Sequence, residues 1–251
     1  MVPVVQQRLL ELNRLFYATV ASAFDQTRAG LPIGWQKLYA YLPLGTAMRP
    51  VSVLDAGCGN GRFALALAQM GGNYSYTGVD ADATLLALAT QHTADLDKRP
   101  VRFLQADLAQ AGWSSRFTGE TFGVVVCLAM LQHVPGYELR LRLMKELAAL
   151  MASDAVLIFS NWQFLTSARF VQKQIEWETV GLTAADVEPG DALLPWQQGG
   201  YAVRYVHQVD EQEMMALANE ADLHIIASFL ADGKEGNLNL YTVLRQGKLK
   251  V

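Results

Sequence analysis

Residues 53–61, Val53-Leu54-Asp55-Ala56-Gly57-Cys58-Gly59-Asn60-Gly61, decide the fold. An apolar run closes on an acid, passes through three glycines at every second position, and leads into RFALALAQM (62–70), whose apolar residues recur at helical spacing. Val51 to Leu54 therefore reads as a buried strand. The glycines fall on the strand-to-helix turn, where a missing Cβ lets backbone come close to a ligand. A side chain at Gly57 or Gly59 is expected to occupy the ligand's space. The spacing is G-x-G-x-G after an acid, unlike the G-x-G-x-x-G that seats a pyrophosphate on a helix N-terminus. It suits a nucleoside.

Working outward, three more strand ends follow, two of them closing on an acid. Residues 74–80 (YSYTGVD) close on Asp80, an acid placed to accept both hydroxyls of a ribose. Residues 101–107 (VRFLQAD) close on Asp107, and residues 123–127 (GVVVC) run into LAMLQHVP. Any one acid after a strand is more often a helix cap. Three such acids and a fourth strand end, each separated by about one strand and one helix, make a series.

The remaining pattern is alternating. Strands are expected at 51–55, 74–80, 101–106, 122–127 and 154–160, with helices at 60–70, 82–91 and 136–151, so the sheet reads as mainly parallel. In front of it, Val5, Leu9, Leu12, Phe16 and Val20 repeat at helical spacing and predict an amphipathic helix over 4 to about 24, lying over the ligand. A second helix follows Pro32 and ends before Pro43. At the other end, a helix over 210–221 precedes strands 224–230 and 240–245, joined by Asp232-Gly233-Lys234-Glu235-Gly236-Asn237 as a hairpin. Between 161 and 209 the alternation breaks. A helix is expected around 166–179, followed by Pro189, Gly190, Pro195, Gly199 and Gly200. Loops after strand ends form the ligand crevice of open α/β sheets, so this insertion is expected to carry a second substrate.

Composition fits one domain. The 251 residues are 51% hydrophobic, enough for a single sizeable core. The expected organisation is one unit over 1–251, with a helical cap (1–45), a ligand-binding core (51–160), an insertion (161–209) and a closing helix and hairpin (210–251). No apolar run approaches the roughly 18 residues that cross a bilayer, and MVPVVQQRLLELNR lacks the basic start and apolar centre of a signal peptide, so a cytoplasmic protein without membrane contact is expected. Cys58 and Cys127 stand in no metal spacing, and neither a disulfide framework nor a metal site is indicated.

The acid, the glycine spacing and the three later strand ends together resemble the class I S-adenosylmethionine-dependent methyltransferases from about residue 51 onward. That resemblance implies a Rossmann-like α/β fold, a seven-stranded mainly parallel sheet with an antiparallel last strand. It implies S-adenosylmethionine as cofactor, held by Asp55, Gly57, Cys58, Gly59, Gly61, Asp80, Ala81, Asp107, Leu108 and Cys127, with Asp80 on the ribose and Asp107 beside the adenine amine.

A narrower resemblance lies in FYATVASAFDQTRAGLPIGW (16–35), DALLPWQ (191–197) and RYVHQV (204–209). These look like the wobble-uridine (5-carboxymethyluridine) tRNA methyltransferases, which methylate a carboxymethyl group on the base. Their usual Lys-Pro-Trp after the arginine is replaced by Ala29 to Trp35, and a single His133 follows Gln132 where some members have paired histidines. The resemblance implies tRNA as substrate, a small zinc-binding activator protein as partner, and Arg28, Arg204 and His207 as holders of the acceptor.

Charge bears on that acceptor. With 20 basic and 24 acidic residues the chain carries −4, the reverse of a protein relying on phosphate contacts. A local basic patch would have to come from residues such as Arg28, Arg99, Arg102, Arg140, Arg142, Arg169, Arg204, Lys248 and Lys250. An ionised carboxylate attacking a sulfonium methyl needs alignment more than a base. A phenol, amine or carbon acceptor would use one, and His133 is the candidate. Two enzyme readings stay open, a methyltransferase for tRNA wobble uridine or a similar base and one for a small molecule, together with a cofactor-binding module lacking catalysis.

Overall fold

The computed structural model describes residues 1–26, 30–43, 45–46, 49–96, 100–198 and 200–247. Arg28, Arg99, Lys248 and Lys250 lie outside them. A long helix α1 (Pro3–Gln26) and a short α2 (Ile33–Leu38) precede β1 (Val51–Ala56), α3 (Arg62–Met70), β2 (Tyr74–Asp80), α4 (Ala83–His92), β3 (Val101–Gln105), β4 (Phe122–Leu128), α5 (Tyr137–Ala149) and β5 (Met151–Trp162). The insertion holds α6 (Ala168–Val171), β6 (Asp191–Trp196) and β7 (Ala202–His207), and the chain closes with α7 (Glu211–Glu220), β8 (Leu223–Ala231) and β9 (Asn239–Gln246).

Seven strands form one sheet in the order β3-β2-β1-β4-β5-β9-β8. β9 runs antiparallel to both β5 and β8, while β1 to β5 pair in parallel. The mainly parallel sheet and the Rossmann-like class are those expected. From β1 the chain builds outward to β2 and β3, then returns to place β4 on the other side. Strand order therefore reverses between β1 and β4, and a crevice opens beyond their carboxyl ends.

The strands are apolar because both sheet faces are covered. On β1 and β4, Leu54 and Cys127 point into the layer that holds Leu143, Met144 and Leu147 of α5, while Val53 and Val126 face the layer of Phe63, Leu67 and Tyr76. No helix among the described residues is long and apolar enough to cross a membrane.

The expected helix at 166–179 is not one element. It is a single turn at Phe164–Thr166, the four-residue α6 and a second turn at Trp177–Val180. The interruption has a local cause: the backbone N–H of Ile175 donates to the Leu193 carbonyl at 3.0 Å, tying this stretch to the β6–β7 hairpin. That hairpin is antiparallel and packs under α1, where Val5 and Leu9 meet Leu182, Leu193 and Tyr205.

Candidate active site

The glycine turn is shaped by its own backbone. Gly57, Gly59 and Gly61 all have positive φ, +84°, +52° and +77°, a region that disfavours side chains. A Cβ on Gly59 would meet nothing within 4 Å, since the position looks into an open cleft. One on Gly57 would lie 2.5 Å from Met130 Cγ, so the reason for glycine there is room for Met130 and not for a ligand as expected from the sequence. The N–H groups of Gly57 and Cys58 donate to the Val79 carbonyl at 2.8 and 3.0 Å, binding the turn to the end of β2.

Asp80 completes that connection. Its carboxylate accepts from the Gly59 N–H at 2.9 Å and from the Asp82 N–H at 3.0 Å. Burial pushes its carboxyl above the ordinary range, and these backbone bonds pull back against the rise. Asp55 is only 2% exposed and accepts from the Tyr76 hydroxyl at 2.5 Å. Burial pushes it up to about 7, with the neighbouring Asp80 charge adding to the shift. Neither Asp55 nor Asp80 meets a cation among the described residues. Asp107 does: Arg14 of α1 reaches it at 2.7 Å, and its other oxygen accepts from the Ala109 N–H at 2.9 Å.

These groups line one end of a cleft of about 880 Å³, together with Cys58, Ala81, Asp82 and Leu108. Cys127 does not reach it. Alternation along β4 turns its side chain into the core on the α5 side, fully buried, where burial lifts its thiol well above the ordinary value. Leu128, Ala129 and Met130 line the cleft in its place.

The wall over the cleft is α1. Leu10, Asn13, Arg14, Tyr17 and Ala18 line it, one helical face at spacings of three and four. Asn13 ties this helix down: its amide donates to the His133 carbonyl at 3.3 Å, and its oxygen accepts from the Tyr205 N–H at 2.8 Å.

The far end of the cleft is cationic and aromatic. Arg204 of β7 is 9% exposed, and its guanidinium lies 4.8 Å from the Trp162 ring, 5.3 Å from Phe16 and 5.9 Å from Trp196. An arginine stacked this way keeps a fixed fork for an anion. Arg169 lines the rim nearby. His133 lines the same end, with Nδ1 3.2 Å from the Tyr205 carbonyl and Nε2 3.1 Å from the Tyr17 hydroxyl. The cleft lining thus holds Asp55 and Asp80 beside the glycine turn and Arg204 among stacked rings, with Arg14 and Arg62 also on its walls.

His207 is elsewhere. It does not line the cleft, because its Nδ1 lies 2.7 Å from Asp191 and its Nε2 2.6 Å from Glu213. Burial works against its charge, yet these two bonds outweigh it and hold the imidazole above its ordinary value. Glu213 also accepts from Arg140 Nε at 2.7 Å, while Arg140 Nη2 bonds Glu188 at 2.9 Å and Nη1 the Val134 carbonyl at 3.0 Å. Tyr205 donates its hydroxyl to Asp191 at 2.7 Å. Arg140, expected as part of a basic patch, is 1% exposed and inside this cluster, and Arg102 pairs with Glu120. The role expected of Arg28 falls outside the described residues.

Tyr17, Asn13 and Met130 were not singled out by sequence reasoning. Tyr17 sits next to Phe16 in an apolar stretch, and only the second stripe at 10, 13, 14, 17 and 18 marks a face distinct from the core face.

Residues 53–154 match a family model described as a methyltransferase domain. The ubiquinone biosynthesis O-methyltransferase of Actinobacillus pleuropneumoniae serotype 7 (strain AP76) is 34% identical over 113 residues, covering 43% of this chain and 44% of that protein. The putative methyltransferase YqeM of Bacillus subtilis (strain 168) is 26% identical over 147 residues, 58% of this chain and 55% of that protein. The chain thus spans about half the length of these curated relatives. Among solved structures, a SAM-dependent methyltransferase from Methanosarcina mazei superposes with a TM-score of 0.62 at 21% identity, covering 84% of this chain and 97% of that one. Magnesium protoporphyrin IX methyltransferase from Synechocystis PCC 6803 with bound SAM gives 0.60 at 19% identity, covering 93% and 96%. Residues 53–154 thus match a methyltransferase domain, and the chain has the class I methyltransferase fold of these solved structures.

Proposed function

We propose that the protein transfers the methyl group of S-adenosylmethionine to a small planar acceptor that carries an anionic group. One observation carries the reading: a single cleft joins the glycine turn and its two uncompensated carboxylates to an arginine stacked among three rings. The cofactor supplies a methyl group activated on a sulfonium. The residues present fit it, since Gly59 leaves open space and Asp55 and Asp80 await cationic or hydroxyl donors. Asp80 would accept from the ribose hydroxyls, and Asp55 would face the cofactor's ammonium. Asp107, Ala81 and Leu108 would border the adenine. At the other end Arg204 would hold the acceptor's anion bidentately, and Phe16, Trp162 and Trp196 would cover its ring. The O-methyltransferases among the relatives support a small-molecule acceptor.

The second reading, tRNA wobble uridine with an activator partner, is favoured by Arg204, which stands in the cleft as that resemblance implied. His207 does not stand there. Transfer of radiolabelled methyl to a small-molecule extract and, separately, to bulk tRNA decides between them. Label in the extract alone supports the first reading, and label in tRNA alone replaces it.

A further inference from the structure

We propose that Tyr17 is a proton relay between the methyl acceptor and His133, a residue of α1 that completes the base. The inference rests on the small-molecule reading above and adds the route of the proton. A carbonyl can only accept, so the 3.2 Å contact between His133 Nδ1 and the Tyr205 carbonyl places the ring proton on Nδ1. The lone pair then lies on Nε2, which faces the Tyr17 hydroxyl at 3.1 Å. The two rings stand at 89° with centroids 5.7 Å apart, so the hydroxyl meets the imidazole edge and not its face.

Both partners are held from outside. Asn13 bonds the His133 carbonyl and the Tyr205 N–H, fixing the histidine turn, the β7 backbone and the helix of Tyr17 against one another. Tyr17 and His133 both line the cleft, as do Asp55, Asp80 and Arg204. The charged groups facing the same space are Asp55, Arg62, Asp80, Asp82, the Asp107–Arg14 pair, Arg169 and Arg204.

The step balances as follows. The acceptor oxygen forms its bond to the methyl carbon as the carbon–sulfur bond breaks and its electron pair leaves with sulfur. The acceptor's hydroxyl proton passes to the Tyr17 oxygen while the Tyr17 proton passes to His133 Nε2, leaving an imidazolium. Water takes that proton after the product leaves. Tyr17 ends neutral, as it began, and carries no lasting charge.

The test uses the full chain with Tyr17→Phe, His133→Ala and the double variant, and 3,4-dihydroxybenzoate, a ring carrying hydroxyls and a carboxylate, as acceptor probe. A relay predicts that Tyr17→Phe lowers kcat about tenfold or more while the acceptor KM stays within twofold, and that the double variant is no slower than His133→Ala alone. Any rise of rate with pH in the parent should be lost in His133→Ala. A Tyr17→Phe enzyme with parental kcat, or losses that multiply in the double variant, overturns it. Nitrogen-15 NMR of the histidine ring gives a reading that needs no turnover: the proton must reside on Nδ1 in the parent, and the Nε2 shift must move in Tyr17→Phe. A proton found on Nε2 overturns the relay. Absence of methyl transfer by the parent to both 3,4-dihydroxybenzoate and the extract counts against the small-molecule reading, while the NMR result still decides on Tyr17.

Discussion

Two clusters of ionisable groups, one at the ends of β1 and β2 and one around the end of β7, differ in whether their charges are met. At the strand ends, Asp55 and Asp80 are held by a tyrosine hydroxyl and backbone N–H groups, with no cation among the described residues. Beneath the insertion, Arg140, Glu188, Glu213, His207 and Asp191 close on one another through bonds of 2.6 to 2.9 Å. A charge left uncompensated near a cleft costs stability and is kept for what it will bind, whereas a closed cluster satisfies itself and fixes a shape. The same residue types thus mean a site in one place and a brace in the other.

Removing a member of the brace should have the largest effect. Arg140→Met strands two partly buried carboxylates, and urea unfolding is expected to show a loss of about 3 to 5 kcal/mol. A loss under about 1 kcal/mol would mean the cluster is not what holds the insertion. In the open cluster, Asp80→Ala should weaken S-adenosylmethionine by about 1.5 to 3 kcal/mol, since charged hydrogen bonds are lost. Unaltered affinity by titration calorimetry would remove Asp80 from the site.

The two residues from one strand sharpen the contrast. Arg204→Ala should reduce kcat/KM by about 2 kcal/mol, through loss of a charged partner for the acceptor. His207→Ala should lower stability and leave kcat/KM of the folded enzyme close to parental. If the two variants exchange these outcomes, the assignment of cleft and brace is reversed.

The smallest effect is in pH. Asp55 keeps its proton in the folded protein up to about 7, while an unfolded carboxylate loses it near 4, so its contribution to stability falls as pH rises from about 4 to 7. His207 is raised above its ordinary value, so its contribution is complete below about 6.5 and is lost as pH rises through its higher folded value. The first slope should vanish in Asp55→Asn and the second should not. If the ionised Asp55 faces the cofactor's ammonium, cofactor affinity should rise about tenfold, ~1.4 kcal/mol, from pH 6 to 8, with proton release on binding. A flat profile would move the ammonium elsewhere.

The fold was legible wherever a strand ends on an acid before a helix, because those residues answer to local rules of periodicity and turns. Hence β1, β2, α3 and the closing hairpin stand within a residue or two of their expected bounds. Cys127 was misread because its place at a strand end said nothing of which face it takes, and the pleat turned it inward. His207 was misread because the sequence shows a histidine after an arginine and tyrosine, and not the Glu213 and Asp191 that flank it in space. The broken helix after β5 depended on a bridge from Ile175 to Leu193, a contact invisible to local pattern.

Asn13 sets a timetable. Its oxygen bonds the N–H of a residue 192 positions later, and the same helix supplies Arg14, Phe16 and Tyr17 to the cleft. During synthesis at about 5 to 20 residues per second, α1 must wait roughly 10 to 40 s for the strand on which it rests. Its apolar face, Val5, Leu9, Phe16 and Val20, lacks that strand to pack against throughout the interval. The wall of the cleft that is translated early is the one that docks late.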